Sequence, residues 1–76
     1  MGWYADITLK SGKNIIVDKL QSINKQSSTD SSIHKITDYT TFFLLKGQRL
    51  SFVGENSMVT LMSDEIEYVE LKKTQD

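Results

Sequence analysis

The chain of 76 residues contains no cysteine and no proline, and His34 is its single histidine. Without cysteine the protein can form neither disulfides nor thiolate metal sites, and it needs no oxidising compartment. Without proline its strands lack a residue that commonly protects exposed sheet edges. We therefore expect a cytoplasmic protein whose strand edges are protected by charge or by a partner.

Long apolar runs and catalytic motifs are also missing. No stretch approaches the roughly 18 apolar residues of a membrane-spanning helix, and the four glycines are scattered singly, unlike those of a phosphate-binding loop. We expect His34 at the surface. The acidic residues Asp64, Glu65, Glu67 and Glu70 lack the spacing of a calcium loop. These patterns predict neither an enzyme nor a bound metal or cofactor.

The strongest structural pattern lies in residues 40–71, where short apolar runs alternate with turns that contain Gly or Asn. This pattern predicts a meander of β-strands. Residues 42–46 form a largely apolar run, which predicts a strand that is buried on both faces. Gly47 and Gln48 then fit a two-residue hairpin turn. Further strands are predicted at residues 50–53, 58–62 and 66–71.

Residues 3–10 alternate between apolar and polar side chains, which predicts a strand with one buried face. Residues 11–14 fit a turn, and residues 15–17 fit the returning strand. Asp18 is a favourable helix N-cap, and Leu20 and Ile23 are three residues apart, as on one face of a helix. We therefore predict a short helix over residues 19–25.

Three further segments complete a single domain. Residues 26–32 contain no apolar side chain, which predicts a mobile connector; a phosphorylated or ligand-covering lid is the alternative. Residues 33–37 are a candidate strand, and residues 72–76 are predicted to be a frayed tail. A chain this short buries only about 60% of its unfolded surface, so the core should be thin. The predicted core residues are Ile7, Leu9, Phe42, Leu44, Leu50, Phe52, Val59, Leu61 and Val69.

Two segments, residues 7–17 and 59–71, resemble parts of small SH3-like or Sm-like β-barrels. The first is a strand, a Gly-containing turn and a strand; the second is two strands separated by a short turn. With the other patterns, this resemblance leads us to expect a mainly β protein. It would be a small antiparallel sheet or an SH3-like partly open barrel of five or six strands, with one short helix near residues 19–25. The sequence lacks the Gly-rich bend and the Asn-containing loop of such RNA-binding barrels, so no RNA-contacting residue is transferred.

A protein-interaction module is the function that the sequence favours. The thin core, the apolar run at residues 42–46 and the strand edges without proline all suit a chain that docks on another protein or on its own copy. The composition, rich in Lys and Ile, also resembles that of accessory proteins of low-GC bacteria and their phages. The candidate partner-binding residues are Trp3, Tyr4, Tyr39, Phe43, Leu45, Lys46 and Arg49.

Weak binding of single-stranded nucleic acid is the alternative. Aromatic side chains could stack on bases, and basic residues at hairpin ends could contact phosphates. However, residues 1–54 carry seven basic and four acidic side chains, whereas residues 55–76 carry two basic and six acidic ones. Few phosphate contacts on a net-acidic chain predict low affinity, so we expect nucleic acid to be a minor partner at most. The candidate contacts are Lys10, Lys13, Lys46 and Arg49.

Overall fold

The computed structural model describes residues 2–27 and 32–74. These residues form seven strands, all paired antiparallel, and two single turns of 3₁₀ helix. The prediction of a mainly β, antiparallel fold is therefore confirmed, but the predicted number of five or six strands is too low. The strands are β1 (Trp3–Leu9), β2 (Asn14–Val17), β3 (Leu20–Ser27), β4 (Ile33–Ile36), β5 (Gln48–Gly54), β6 (Met58–Met62) and β7 (Ile66–Lys73). The 3₁₀ turns are Tyr39–Thr41 and Ser63–Glu65.

The strands form two sheets. The first has three strands in the order β2-β1-β7, and the second has four in the order β4-β3-β5-β6. Within the described residues β6 and β7 do not pair, so the two sheets do not close into a barrel. The alternation predicted for β1 is confirmed, because Ala5 and Ile7 are fully buried between the sheets and Trp3 and Leu9 pack at the edge of the core.

The chain passes from one sheet to the other at a sharp bend between β2 and β3. Lys19 has a φ of 50° there, in the left-handed region. Gly54 of β5 lies directly against this bend, since a Cβ atom on it would be 2.5 Å from the carbonyl oxygen of Asp18 and 2.8 Å from Cγ1 of Val17. The N–H of Glu55 donates to the carbonyl of Lys19 at 3.0 Å. Any residue other than glycine at position 54 would therefore push the backbone of the bend out of place.

The helix predicted over residues 19–25 is wrong, because this segment begins β3. Leu20 pairs with Gly54 and Ile23 pairs with Phe52, so three steps along β3 match two steps along β5. The extra residue forms a β-bulge. In a regular strand, residues three apart face opposite sides. The bulge instead lets Leu20 and Ile23 both enter the core, which reproduces the spacing of a helical face.

The strand predicted over residues 42–46 is also wrong, and with it the hairpin turn at Gly47 and Gln48. Residues 42–45 belong to no helix and no strand, and the backbone of Phe42 is extended. Both edges of β5 are already occupied, by β3 and β6. The preceding Asp38 also diverts the chain, because its carboxylate accepts hydrogen bonds from the N–H and the hydroxyl of Thr40 and begins a 3₁₀ turn. The apolar run therefore crosses the molecule outside the strand pairing.

The core lies between the two sheets. Three of the predicted core residues, Ile7, Leu50 and Phe52, are fully buried, and the other six are half-buried side chains packed against them. The prediction overlooked much of the buried centre, because part of that centre comes from the bend, the bulge and the 3₁₀ turn. The buried apolar residues that it omitted are Ala5, Val17, Leu20, Ile23, Tyr39 and Ile66.

The structure bears on part of the predicted loop and tail. Gln26 and Ser27 belong to β3, and β7 continues through Lys73, two residues beyond its predicted end. Residues 28–31 and 75–76 lie outside the described residues, so the predicted mobility of the loop and fraying of the tail stay predictions. The short turn expected between the last two strands is a 3₁₀ turn at Ser63–Glu65, in which the Ser63 hydroxyl accepts a hydrogen bond from the N–H of Gln48 at 3.0 Å.

Candidate protein-binding surface

The segment from Tyr39 to Lys46 is fixed to the core at several points. The Tyr39 ring is buried and packs edge-on against Trp3, with ring centroids 5.5 Å apart. Burial of this phenol raises its pKa above the ordinary value. The Phe42 ring packs edge-on against buried Phe52 at 6.2 Å. These contacts hold the segment in one position across the opening between the two sheets.

From Phe42 onward, partly buried and exposed side chains alternate along the chain. Phe42 and Leu44 point toward the core, whereas Phe43 and Leu45 point outward and are 58% and 47% exposed. Within the described residues, the N–H and C=O groups of residues 43–45 make no hydrogen bond. Two exposed apolar side chains thus lie on a short length of backbone that is unpaired among the described residues. We call residues 43–45 the presenting segment.

Phe43 borders an open groove of about 500 Å³ beneath β4. The Nζ atom of Lys25 lies 4.8 Å from the centre of the Phe43 ring, a cation–π geometry. Lys25 gives this groove a positive charge, His34 also lines it, and no Asp or Glu is among its described lining residues. The Oε1 atom of Gln48 is buried at the groove and has no hydrogen-bond partner among the described residues. The remaining lining residues are Ser27, Ser32, Ile36 and Thr41.

Leu45 borders a second, smaller groove of about 230 Å³ on the other side of the presenting segment. Lys10 and Lys46 line it together with Asp64 and Glu67. The carboxylate of Asp64 also accepts a hydrogen bond from the N–H of Gly47 at 3.2 Å. The second groove thus mixes both signs of charge, in contrast to the basic groove beside Phe43.

The structure brings together three of the seven candidate partner-binding residues, namely Phe43, Leu45 and Lys46. The other four are dispersed. Trp3 and Tyr39 pack against each other, and Tyr39 is buried. Tyr4 lies on β1 opposite Lys72, whose Nζ atom is 6.0 Å from its ring. Arg49 lies on β5 in the second sheet and is exposed.

The four candidate nucleic-acid contacts are also only partly gathered. Lys10 and Lys46 share the smaller groove with two carboxylates, whereas Lys13 lies in the turn between β1 and β2. Lys25 was not among the predicted residues. It was missed because residues 19–25 were predicted to form a helix. In the observed strand, Lys25 lies two residues after buried Ile23 and therefore on the same side of β3. Its position beside Phe43 depends on the pairing of β3 with β5.

Residues 2–27 and 32–74 contain neither a metal-binding cluster nor a membrane-spanning helix. No group of three or more His, Asp or Glu side chains in these ranges is arranged to hold a metal ion. No helix in these ranges is both long and apolar enough to cross a membrane. Comparison of the chain with protein-family models, curated proteins and solved structures found no match. Functional inference therefore depends on the surface itself.

Proposed function

We propose that this protein is a non-catalytic protein-interaction module that binds an extended segment of a partner protein at residues 43–45. The observation that carries the proposal is the exposure of Phe43 and Leu45 on backbone that has no hydrogen-bond partner among the described residues. Such backbone can accept a partner strand, while adjacent side chains provide specificity. Apolar side chains held in one position also lose little conformational freedom on binding.

The charges around the presenting segment favour an acidic partner sequence. Lys25 and His34 lie in the groove beside Phe43, where the described lining contains no carboxylate. Burial of an apolar side chain of the partner against Phe43 would bring a neighbouring carboxylate within reach of Lys25. We therefore propose a partner segment that combines one large apolar residue with at least one Asp or Glu.

Peptide selection tests this function. A random library of peptides of about ten residues would be selected against the wild-type protein, and the Kd of the enriched peptides measured by fluorescence polarisation. Phe43→Ser combined with Leu45→Ser should weaken binding at least tenfold, which is about 1.4 kcal/mol. Tyr68→Ser is the matched control, because Tyr68 is exposed to a similar extent but lies on β7. It should leave the Kd unchanged.

Two results would contradict the proposal: enriched peptides that bind the Phe43 and Leu45 variant as tightly as the wild type, or peptides that lose affinity only with Tyr68→Ser. The melting temperatures of all variants should stay close to that of the wild type, since substitutions of exposed side chains usually change stability by less than about 0.5 kcal/mol. A separate variant, Lys25→Glu, should weaken acidic peptides and leave neutral ones unaffected.

Weak binding of single-stranded nucleic acid is retained as the second candidate, supported by the position of Lys25 over the Phe43 ring. An aromatic face beside a positive charge suits a stacked base and its phosphate. Titration with single-stranded DNA and RNA at about 50 and 200 mM salt distinguishes the candidates. We expect weak or no binding. Submicromolar, salt-sensitive binding that Phe43→Ser abolishes would reverse the ranking of the two functions.

We further propose that the two sheets form a partly open barrel of the SH3-like kind and that the protein acts in the cytoplasm. The bend between β2 and β3, the 3₁₀ turn before β7 and the pairing of β7 with β1 support the barrel arrangement. The lack of cysteine supports a compartment in which disulfides do not form.

A further inference from the structure

β6 is an edge strand with no charged residue. It pairs with β5 on one side only, and its sequence is Met-Val-Thr-Leu-Met. Ser57 and Ser63, which flank it, are neutral as well. An edge strand presents a row of unpaired backbone groups, and natural proteins usually prevent association there with charge, proline or a covering segment. Within the described residues β6 has none of these protections.

The three other sheet edges are protected better. β7 carries four charged residues among its eight, and β4 is short and contains both His34 and Lys35. β2 has no charge of its own, but it is only four residues long and lies between Lys13 and Asp18, next to the sharp bend. The difference singles out β6 as the edge on which another strand can pair.

We propose that two copies of this chain associate through their β6 strands, paired antiparallel about a two-fold axis at Thr60. In this register Thr60 faces its own copy, Met58 faces Met62 and Val59 faces Leu61 of the other chain. Each pair joins chemically similar side chains, and Thr–Thr and apolar cross-strand pairs are favourable. The occupant that best matches this edge is therefore the edge itself.

Burial along β6 agrees with this pairing. Val59 and Leu61 pair with fully buried Phe52 and Leu50 on β5, yet both remain partly exposed at the margin of the core. On the other face Met58 is 64% exposed. A second β6 strand would cover the inner pair and pack methionine against methionine on the outer face. The two four-stranded sheets would become one continuous eight-stranded sheet.

The expected affinity is moderate. A stable interface of standard size buries about 800 Å² on each partner, roughly a sixth of the 5050 Å² surface of this chain. Five paired residues supply only part of that area, so the dimer should dissociate in the micromolar range. This association does not depend on the proposed function, since β6 and the presenting segment are separate surfaces.

Sedimentation equilibrium from about 5 to 500 µM, a range that spans micromolar dissociation constants, tests the pairing. We expect a monomer–dimer equilibrium in the wild type. Thr60→Lys sets two like charges against each other at the two-fold axis and should weaken association at least tenfold. Ile16→Lys is the matched control on the other uncharged edge, because Ile16 is an exposed residue of β2. It should leave the equilibrium unchanged.

Amide hydrogen exchange of the wild type provides a measurement that does not depend on how the variants fold. Alternate amides of β6 should become protected as the concentration rises, while those of β2 and β4 should not. In the wild type the Thr60 hydroxyl lies 3.0 Å from that of Ser51, and Thr60→Lys removes this hydrogen bond. Circular dichroism and thermal melting would therefore check that the variant is folded.

Charge exchange tests the register. Met58→Glu alone should weaken the dimer, and adding Met62→Lys in the same chain should restore it, because each Glu would then face a Lys of the other copy. A protein that remains monomeric throughout the concentration range would overturn the proposal. So would a dimer that Thr60→Lys leaves intact, assembly beyond a dimer, or a double variant no stronger than Met58→Glu.

Discussion

Residues 20–23 and residues 42–45 are both four-residue segments, and they end in opposite environments. The first reads Leu-Gln-Ser-Ile and the second Phe-Phe-Leu-Leu. In the less apolar segment even Ser22 is buried, with 5% of its surface exposed, whereas Phe43 in the fully apolar segment is 58% exposed. Judged by hydrophobicity alone, residues 42–45 would be predicted to be the more buried segment and residues 20–23 the more exposed one.

Access to a strand edge accounts for the difference. Leu20, Ser22 and Ile23 pair with β5, so the backbone is held in the sheet and these three side chains can enter the core. Both edges of β5 are occupied by other strands, so residues 42–45 lie outside the sheet and only alternate side chains among them pack against the core. An apolar run therefore contains side chains that favour burial, but the available strand edges decide how many of these side chains are buried.

The largest expected effect comes from the residue that contacts both segments. Phe52 pairs with Ile23 and its ring packs against Phe42. Because it is fully buried, Phe52→Ala should lower the free energy of unfolding by about 3–5 kcal/mol. Urea denaturation measures this, with Phe43→Ala as the matched control, for which we expect a change within about 0.5 kcal/mol. Equal losses in the two variants would mean that the segments do not differ in burial as described.

A smaller effect is expected where the first segment meets the bend. Gly54→Ala places a Cβ atom 2.5 Å from the backbone oxygen of Asp18, so the bend must move. Overpacking of this kind typically costs about 1–3 kcal/mol. Gly2→Ala is the control, because its nearest neighbour, the Oγ1 atom of Thr74, would lie at an ordinary 3.6 Å. Unchanged stability in Gly54→Ala would show that the bend is looser than the structure indicates.

The smallest effect concerns the anchor of the second segment. Burial raises the pKa of Tyr39 in the folded state above its unfolded value of about 10. The neutral phenol therefore contributes stability that is fully present below pH 10. That stability is lost as the pH rises from the unfolded pKa through the folded one. Thermal melts between about pH 8 and 11 should show a steeper decline for the wild type than for Tyr39→Phe. Parallel curves would contradict the burial of this phenol as the cause.

Part of the candidate surface could be predicted from the sequence, but the side chains that surround it could not. Phe43, Leu45 and Lys46 were expected from the apolar run and the adjacent turn, and they lie together. Tyr39 was a candidate partner-binding residue, but its ring is buried and packs against Trp3. An aromatic residue near a turn can face either way, and the sequence gives no sign of which ring meets another. Lys25 was missed because its neighbours resembled a helix.

By itself the sequence determined the class of fold, the alternation of β1 and the burial of Leu50 and Phe52, because period-two patterns and turn residues act over short distances. Only the tertiary structure decided that the helix-like spacing of Leu20 and Ile23 is a bulge, and that residues 42–45 stay outside both sheets. These outcomes depend on which strands occupy the edges of β5, and that pairing joins residues far apart in the chain. Local patterns carry no information about such competition between distant segments for the same hydrogen bonds.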